Sequence, residues 1–187
     1  MGADVGREDL RMNRLLLAVA LSTAALAGPA AAEVSARTEN SFSLTYERPV
    51  SASPEAVLAA IGRPAAWWSD AHTYSGSASN ITIDLRPGGC WCEALPGGGV
   101  KHAEAVLVWP ERRMVRFDAP FGPLQSMGVD AVLTMTWADL DGGPGRTLKW
   151  TFVVTGPGAG AMADPVDGVM AEQFGRLVAH LGGSAGS

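Results

Sequence analysis

The most constraining feature of the sequence is a series of short strand-like segments that ends in one long amphipathic helix. Between residues 81 and 155, segments with apolar residues at alternate positions are separated by turns rich in Gly and Pro. Such close spacing by turns favours antiparallel hairpins over parallel strands joined by helices. From Val166 to Leu181 apolar residues instead recur every three or four positions, as on one face of a helix. The order predicts an α+β fold, an antiparallel sheet covered by one C-terminal helix.

Two short helices are predicted before this series of strands. A strand over 42–50 leads into Ser53-Pro54-Glu55, which supplies an N-cap, a proline in the first turn and an acid near the helix dipole. Pro64 can begin a second short helix that carries Trp67 and Trp68. The remaining strands are predicted at 81–85, 90–95, 100–109, 113–118, 131–139 and 147–155, which makes seven.

Residues 12–32 have the layout of a secretory signal peptide. Arg14 precedes an apolar stretch of 13 residues, and Ala30-Ala31-Ala32 offers a small-residue cleavage site. Since about 20 apolar residues are needed to span a bilayer, we expect cleavage after Ala32 and no membrane span in the mature protein. Met12 is an alternative start. The predicted product is periplasmic or secreted, with a short lead at 33–41, a domain at 42–182 and a flexible tail at 183–187.

Composition and the missing motifs exclude several functions. The formal net charge is −5 and the chain has two lysines, Lys101 and Lys149, so it lacks the basic surface that nucleic-acid binding needs. The phosphate-binding pattern G-x-x-x-x-G-K-[ST] is absent, as are the hydrolase and zinc-protease patterns G-x-S-x-G and H-E-x-x-H. No cofactor is predicted.

Cys90 and Cys92 are the only cysteines, and three interpretations stay open for them. Two residues apart on a regular strand, their Cα atoms would be about 6.5–7 Å apart, so a disulfide would need a bulge or a strained turn. Two free, packed thiols are an alternative. A zinc site that includes His102 is the third, but a fourth ligand is missing, so we predict no metal.

Two carboxylate–histidine combinations are weak candidates for acid–base chemistry. Asp70 and His72 are two residues apart in a polar loop, which fixes no geometry. A turn at 96–99 would place His102 across from or near Glu93. The alternative for Asp70 and His72 is a solvated loop. The alternative for His102 is a strand histidine that faces water or pairs with Glu93 or Glu104.

The six tryptophans and the inward faces of the last strands predict a binding site. By period and size, the larger alternating side chains of the last two strands should face the C-terminal helix, and Trp67 or Trp68 should close one end. Core packing and a cavity wall require the same residues here, so both interpretations stay open. The predicted ligand-binding residues are Trp67, Trp68, Trp91, Leu133, Met135, Trp137, Trp150, Phe152, Met170 and Phe174.

Several local motifs resemble the START-like, birch-pollen-allergen-like superfamily called SRPBCC. They are Val50-Ser51-Ala52-Ser53-Pro54-Glu55-Ala56-Val57, the Trp67-Trp68 pair, Leu85-Arg86-Pro87-Gly88-Gly89-Cys90-Trp91, the segment Val106-Leu107-Val108-Trp109-Pro110-Glu111-Arg112-Arg113-Met114-Val115 and the C-terminal helix. Their order is most similar to the branch of heat-shock-protein ATPase activator homologues. The resemblance runs from about Phe42 to Leu181.

The resemblance implies a helix-grip fold, in which a curved seven-stranded antiparallel sheet holds the long helix with a cavity between them. Members bind lipids or other apolar molecules, cyclise polyketides or act as co-chaperones, and fold alone does not choose among these. We expect an exported carrier for an apolar or amphipathic small molecule. A cavity enzyme of cyclase or hydrolase type and a co-chaperone-like interaction module with an unidentified protein partner are the alternatives.

Overall fold

The computed structural model describes residues 33–143 and 145–183. Within these residues the strands are β1 (Glu33–Arg37), β2 (Ser41–Val50), β3 (Ile81–Ile83), β4 (Cys90–Leu95), β5 (Gly98–Trp109), β6 (Met114–Asp118), β7 (Asp130–Asp139) and β8 (Arg146–Thr155). They form one eight-stranded antiparallel sheet in the order β1-β2-β8-β7-β6-β5-β4-β3. The helices of this part of the chain are α1 (Pro54–Ile61), α2 (Pro123–Met127) and α3 (Ala163–His180). The predicted α+β helix-grip architecture is confirmed.

The alternation of apolar residues along the last two strands does what the sequence predicts. Leu133, Met135 and Trp137 on β7 are buried, while their neighbours Val132 and Thr134 are more exposed. On β8 the inward positions are Leu148, Trp150 and Phe152, each fully buried. Because side chains alternate between faces with a period of two, one face of the sheet carries the core.

Helix α3 packs across that face with the stripe that its periodicity predicts. Met170, Phe174, Leu177 and Val178 are buried between the helix and the sheet. A leucine or phenylalanine moved fully out of water contributes about 1.5–3 kcal/mol, so this stripe is a main source of the helix's stability.

The prediction for the start of α1 is confirmed, and that for the second short helix is corrected. Ser53 Oγ accepts a hydrogen bond of 3.2 Å from the N–H of Ala56, and Gly62 follows the last helical residue. The second helix is one 3-10 turn, Pro64–Ala66, and Trp67 and Trp68 follow it. Their indole N–H groups donate to the carbonyls of Ala60 and His72, at 2.8 and 2.9 Å, which holds the pair in irregular backbone.

Two further elements were not predicted. The segment expected as a lead contains β1, which pairs with β2 at the edge of the sheet and makes the strand number eight among the described residues, not seven. Its sequence, EVSAR, alternates polar and apolar residues, but it covers only five positions and has only Val34 and Ala36 as apolar residues, so it is a weak strand signal. The segment 119–130, between two predicted strands, contains α2.

Helix α3 begins at Ala163, before the apolar stripe that the sequence shows from Val166 onward. A 3-10 turn, Ala159–Met162, leads directly into the helix, so Asp164 lies in its first turn and does not cap it. The Asp164 carboxylate instead pairs with Arg37 at 3.0 Å, and both side chains are exposed. The predicted signal peptide, residues 1–32, lies outside the described residues, as does the chain after Gly183. No helix in the described part of the chain is long and apolar enough to cross a bilayer.

Candidate functional site

A pocket of about 360 Å³ opens between the first half of α3 and the part of the sheet that carries His102 on β5. Three segments meet there: the start of α3, the loop that enters α2, and the irregular chain after Trp68. The lining residues are Trp68, His72, Thr73, Tyr74, His102, Phe121, Gly122, Pro123, Leu124, Met162, Pro165, Val166, Val169 and Met170. The walls are mainly apolar, and the polar side chains are gathered on the side of 72–74 and β5.

Eight of the ten predicted ligand-binding residues lie in the packed interior and not in the lining of this pocket. Trp68 and Met170 line the pocket. The others are buried in the core, namely Trp67, Trp91, Leu133, Met135, Trp137, Trp150, Phe152 and Phe174. These eight side chains belong to the packed core and do not line the open space. Their contact with a ligand stays a prediction.

Aromatic rings fill the space under the second half of α3. The ring of Phe174 lies 5.4 Å from that of Trp150 and 5.5 Å from that of Tyr46, between centroids. The Tyr46 hydroxyl donates to Asp167 Oδ1 at 2.7 Å. Burial, and then the hydrogen bond and charge of Asp167, raise the pKa of Tyr46, so it remains a neutral donor.

A β-bulge in β5 places His102 on the inner face of the sheet. Cys92 pairs with Lys101 and Trp91 pairs with Ala103, so His102 is the extra residue between the two pairs. Both His102 and Ala103 are therefore buried, which breaks the alternation of the strand. Bulges commonly redirect a side chain in this way.

Glu93 on β4 is buried against His102 and is held by three hydrogen bonds. Its Oε2 lies 2.8 Å from Nε2 of His102 and accepts from the N–H of Tyr74 at 3.1 Å. Its Oε1 accepts from the N–H of Ser75. Burial by itself raises the pKa of Glu93, but the hydrogen bonds from Ser75, Tyr74 and His102 outweigh burial and lower that pKa. Glu93 is therefore an anion at neutral pH that ties the 72–75 segment to the sheet.

The Asp70 and His72 pair proposed from the sequence is not formed. Asp70 Oδ1 accepts from the N–H of Ala78 at 2.6 Å, which stabilises a turn. Nε2 of His72 lies 3.0 Å from Glu172 Oε2 at the rim of the pocket, where both side chains are partly exposed. The structure thus brings Glu93 and His102 together, as the structural alternative anticipated, and gives Asp70 and His72 separate partners.

Cys90 and Cys92 are joined by a disulfide on the opposite face of β4 from Trp91 and Glu93. Their Cα atoms are 5.3 Å apart, closer than on a regular strand, and the bulge in the β4–β5 pairing falls at the same step. Of the three interpretations, the structure has the disulfide. No cluster of three or more His, Cys, Asp or Glu side chains within the described ranges could hold a metal ion.

Sequence reasoning missed the lining contributed by the α2 loop and by the start of α3. Phe121, Leu124, Val166 and Val169 line the pocket, and none of them is among the ten predicted ligand-binding residues. The length of the apolar 119–130 segment was the one available signal, since long loops in compact domains are frequently functional.

Comparison with known proteins places this geometry in a family. Residues 41–182 match the family model described as polyketide cyclase / dehydrase and lipid transport, which is of the predicted SRPBCC type. No curated protein sequence matches the chain.

Solved structures share the fold at low sequence identity. A protein from Thermobifida fusca is 16% identical, with 74% of this chain and 92% of that chain covered and a TM-score of 0.53. The protein XoxI from Bacillus cereus is 16% identical, with 74% and 94% covered and a TM-score of 0.52. A truncated norcoclaurine synthase from Thalictrum flavum is 14% identical, with 76% and 95% covered and a TM-score of 0.51. Because the family model spans most of the sequence and the described residues adopt the helix-grip architecture, the chain belongs to the polyketide cyclase / dehydrase and lipid transport family.

Proposed function

We propose that the protein binds an apolar or amphipathic small molecule in the pocket between α3, the α2 loop and the 72–74 segment. The observation that carries the proposal is the pocket itself, about 360 Å³ with mainly apolar walls. That volume lies in the range of small-molecule sites, which combine apolar walls with a few polar groups. Membership of a family that includes lipid transport proteins supports the same function.

The lining indicates what kind of guest fits. Trp68 and Phe121 offer aromatic surface, and Met162 and Met170 offer flexible thioether side chains that adapt to different shapes. Within the described residues the lining contains no Lys, Arg, Asp or Glu. A compact guest with an apolar body and at most a small polar group matches this lining better than a strongly charged one.

Titration calorimetry with 2-methoxynaphthalene tests the proposal. We expect a dissociation constant of about 10 µM, roughly −7 kcal/mol, for such an apolar guest. Val169→Trp places a large ring in the pocket wall and should weaken binding at least about tenfold, or 1.4 kcal/mol.

Val153→Trp is the matched control, because Val153 is partly exposed on the outer face of β8. It adds the same ring away from the pocket, and the affinity should not change. Absence of binding to the wild-type protein, or equal affinities in Val169→Trp and Val153→Trp, would contradict the proposal.

A cavity enzyme is the second candidate function, and the buried Glu93–His102 pair is the observation that favours it. An imidazole oriented by a carboxylate is a recurrent arrangement for proton transfer. The co-chaperone alternative, and with it the activator-homologue branch, remains a prediction; a filled interior beneath an exposed apolar patch would have favoured it over an open pocket.

We also propose that the protein acts outside the cytoplasm. The support is the signal-like layout of residues 12–32, with Arg14, an apolar stretch too short to span and Ala30-Ala31-Ala32. A disulfide between Cys90 and Cys92 fits an oxidising compartment. N-terminal sequencing of the protein from its own cells should give Glu33 as the first residue, and a cytosolic form that keeps residues 12–32 would contradict export.

A further inference from the structure

The polar side of the pocket contains an imidazole whose two nitrogens have different surroundings. Nε2 of His102 lies 2.8 Å from Glu93 Oε2, and that carboxylate also accepts the backbone N–H groups of Tyr74 and Ser75. Backbone N–H groups can only donate, so they stabilise the ionised carboxylate. An ionised carboxylate can only accept, so Nε2 carries the proton in this contact.

The second ring nitrogen is then the free one. Nδ1 of His102 has no hydrogen-bond partner within the described residues, and it is not one of the buried polar atoms that lack a partner there. His102 is a lining residue of the pocket, so the pocket is the space in which Nδ1 can meet a guest. In a neutral imidazole with its proton on Nε2, Nδ1 is a hydrogen-bond acceptor and a base.

We infer that His102, oriented by Glu93, makes the pocket selective for guests that bear a hydroxyl group, which donates to Nδ1. The inference rests on the proposed binding function and names the chemical class of its ligand. An ether offers no proton to Nδ1, and a carboxylate presents only acceptors to an acceptor.

The other titratable groups around His102 do not replace this role. Tyr74 packs its ring 5.7 Å from the imidazole, between centroids, and is largely exposed. Lys101, the preceding residue on β5, is paired with Glu104 at 2.7 Å. His72 is held at the rim by Glu172, also through Nε2. His102 is the histidine of the pocket that is buried and held by a buried carboxylate.

Three naphthalene probes of similar size test the inference by calorimetry at pH 7.5. They are 2-naphthol, which donates a hydrogen bond, 2-methoxynaphthalene, which only accepts one, and 2-naphthoate, which is an anion. We expect 2-naphthol to bind about tenfold more tightly than 2-methoxynaphthalene, the effect of one well-placed hydrogen bond. We expect 2-naphthoate to bind most weakly.

Variants of the three histidines locate the preference. His102→Phe keeps a flat ring without an acceptor, so the tenfold ratio should fall to about one while 2-methoxynaphthalene affinity stays within about threefold. His180→Phe, in the exposed last turn of α3, is the control and should leave every affinity unchanged. Loss of the ratio in His72→Phe but not in His102→Phe would overturn the assignment.

A measurement on the unmodified protein covers the case in which His102→Phe fails to fold. Two-bond ¹H–¹⁵N spectra should show the His102 proton on Nε2 and a bare Nδ1, and 2-naphthol should shift the Nδ1 resonance. A proton on Nδ1 would overturn the inference. If no probe binds, the proposed function fails; if 2-naphthol and 2-methoxynaphthalene bind equally, the hydroxyl selectivity alone fails.

Discussion

Helix α3 bounds a filled space along its second half and an open pocket along its first half. In the filled half, Phe174 of the helix meets Trp150 and Tyr46 of the sheet ring to ring. In the open half the helix offers the smaller Val166 and Val169, and loops form the opposite wall. The packed half therefore differs from the open half both in the size of the helix side chains and in having the sheet, and not loops, opposite them.

The largest effect that tests this comparison is the loss of a large ring from the filled half. Trp150→Ala should lower the free energy of unfolding by about 3–5 kcal/mol, because a buried ring is removed and a cavity remains. Val169→Ala, in the open half, should cost no more than about 1 kcal/mol, because its side chain already borders open space. Urea unfolding of both variants measures the difference.

Trp150→Phe is the matched control for the filled half. The indole N–H of Trp150 is buried without a partner among the described residues, so its removal loses no hydrogen bond. Its cost should fall well below that of Trp150→Ala. Similar losses in Trp150→Ala and Val169→Ala would remove the distinction between the halves.

A smaller effect is expected from the Glu93 carboxylate, which holds the 72–75 segment beside the pocket. Glu93→Gln should lower the free energy of unfolding by about 2 kcal/mol at pH 7, because it weakens hydrogen bonds to a buried anion. The folded-state pKa of Glu93 lies below its usual value, so this stabilisation is fully present above about pH 4.5 and is lost as pH falls through the folded-state pKa.

Urea unfolding of both proteins across pH 3–7 should therefore show the difference between wild type and Glu93→Gln shrinking in acid. Glu104→Gln is the matched control, since Glu104 is a partly exposed acid on β5 and should cost less than about 1 kcal/mol. A difference that stayed constant below pH 4 would show that Glu93 is not the group being protonated.

The smallest effect is expected from the disulfide between Cys90 and Cys92, on the outer face of β4 and away from both halves. Reduction and alkylation of Cys90 and Cys92 should lower the free energy of unfolding by about 1.5 kcal/mol, because a cross-link that closes so short a loop restricts the unfolded chain little. The affinity for 2-methoxynaphthalene should stay within about twofold, since the sulfurs lie on the face away from the pocket. Two thiols that react freely in the unreduced, denatured protein would contradict the disulfide.

Regular elements were predictable from the sequence because their signals are local. The alternation of Leu133, Met135 and Trp137 fixed both the strand and its inner face, and Ser53-Pro54 fixed the start of α1. Strand β1 was not predicted because its alternation covers only five residues with two apolar side chains, which is a weak signal for an edge strand. Its stability comes from its neighbour and not from its own pattern.

The candidate site was predictable only in part because its geometry is not local. A large inward-facing side chain such as Trp150 gives the same sequence pattern whether it packs in a core or lines a cavity. The choice depends on what the helix places opposite, as Phe174 and Val169 show. Glu93 and His102 could be suggested as neighbours from the turn between them, but the bulge that buries His102 has no signature in Lys101-His102-Ala103.

The bulge at His102 has a consequence for how chains of this architecture can gain or lose a chemical group. Deleting His102 would restore regular pairing of Lys101 and Ala103 with Cys92 and Trp91, leaving the remaining contacts of the strand in register. The buried imidazole of the pocket thus belongs to a residue inserted into the strand, and not to a substitution at a regularly paired position. A one-codon insertion or deletion, ordinarily regarded as damage to a strand, would here add or remove the buried imidazole of the pocket without altering any other residue.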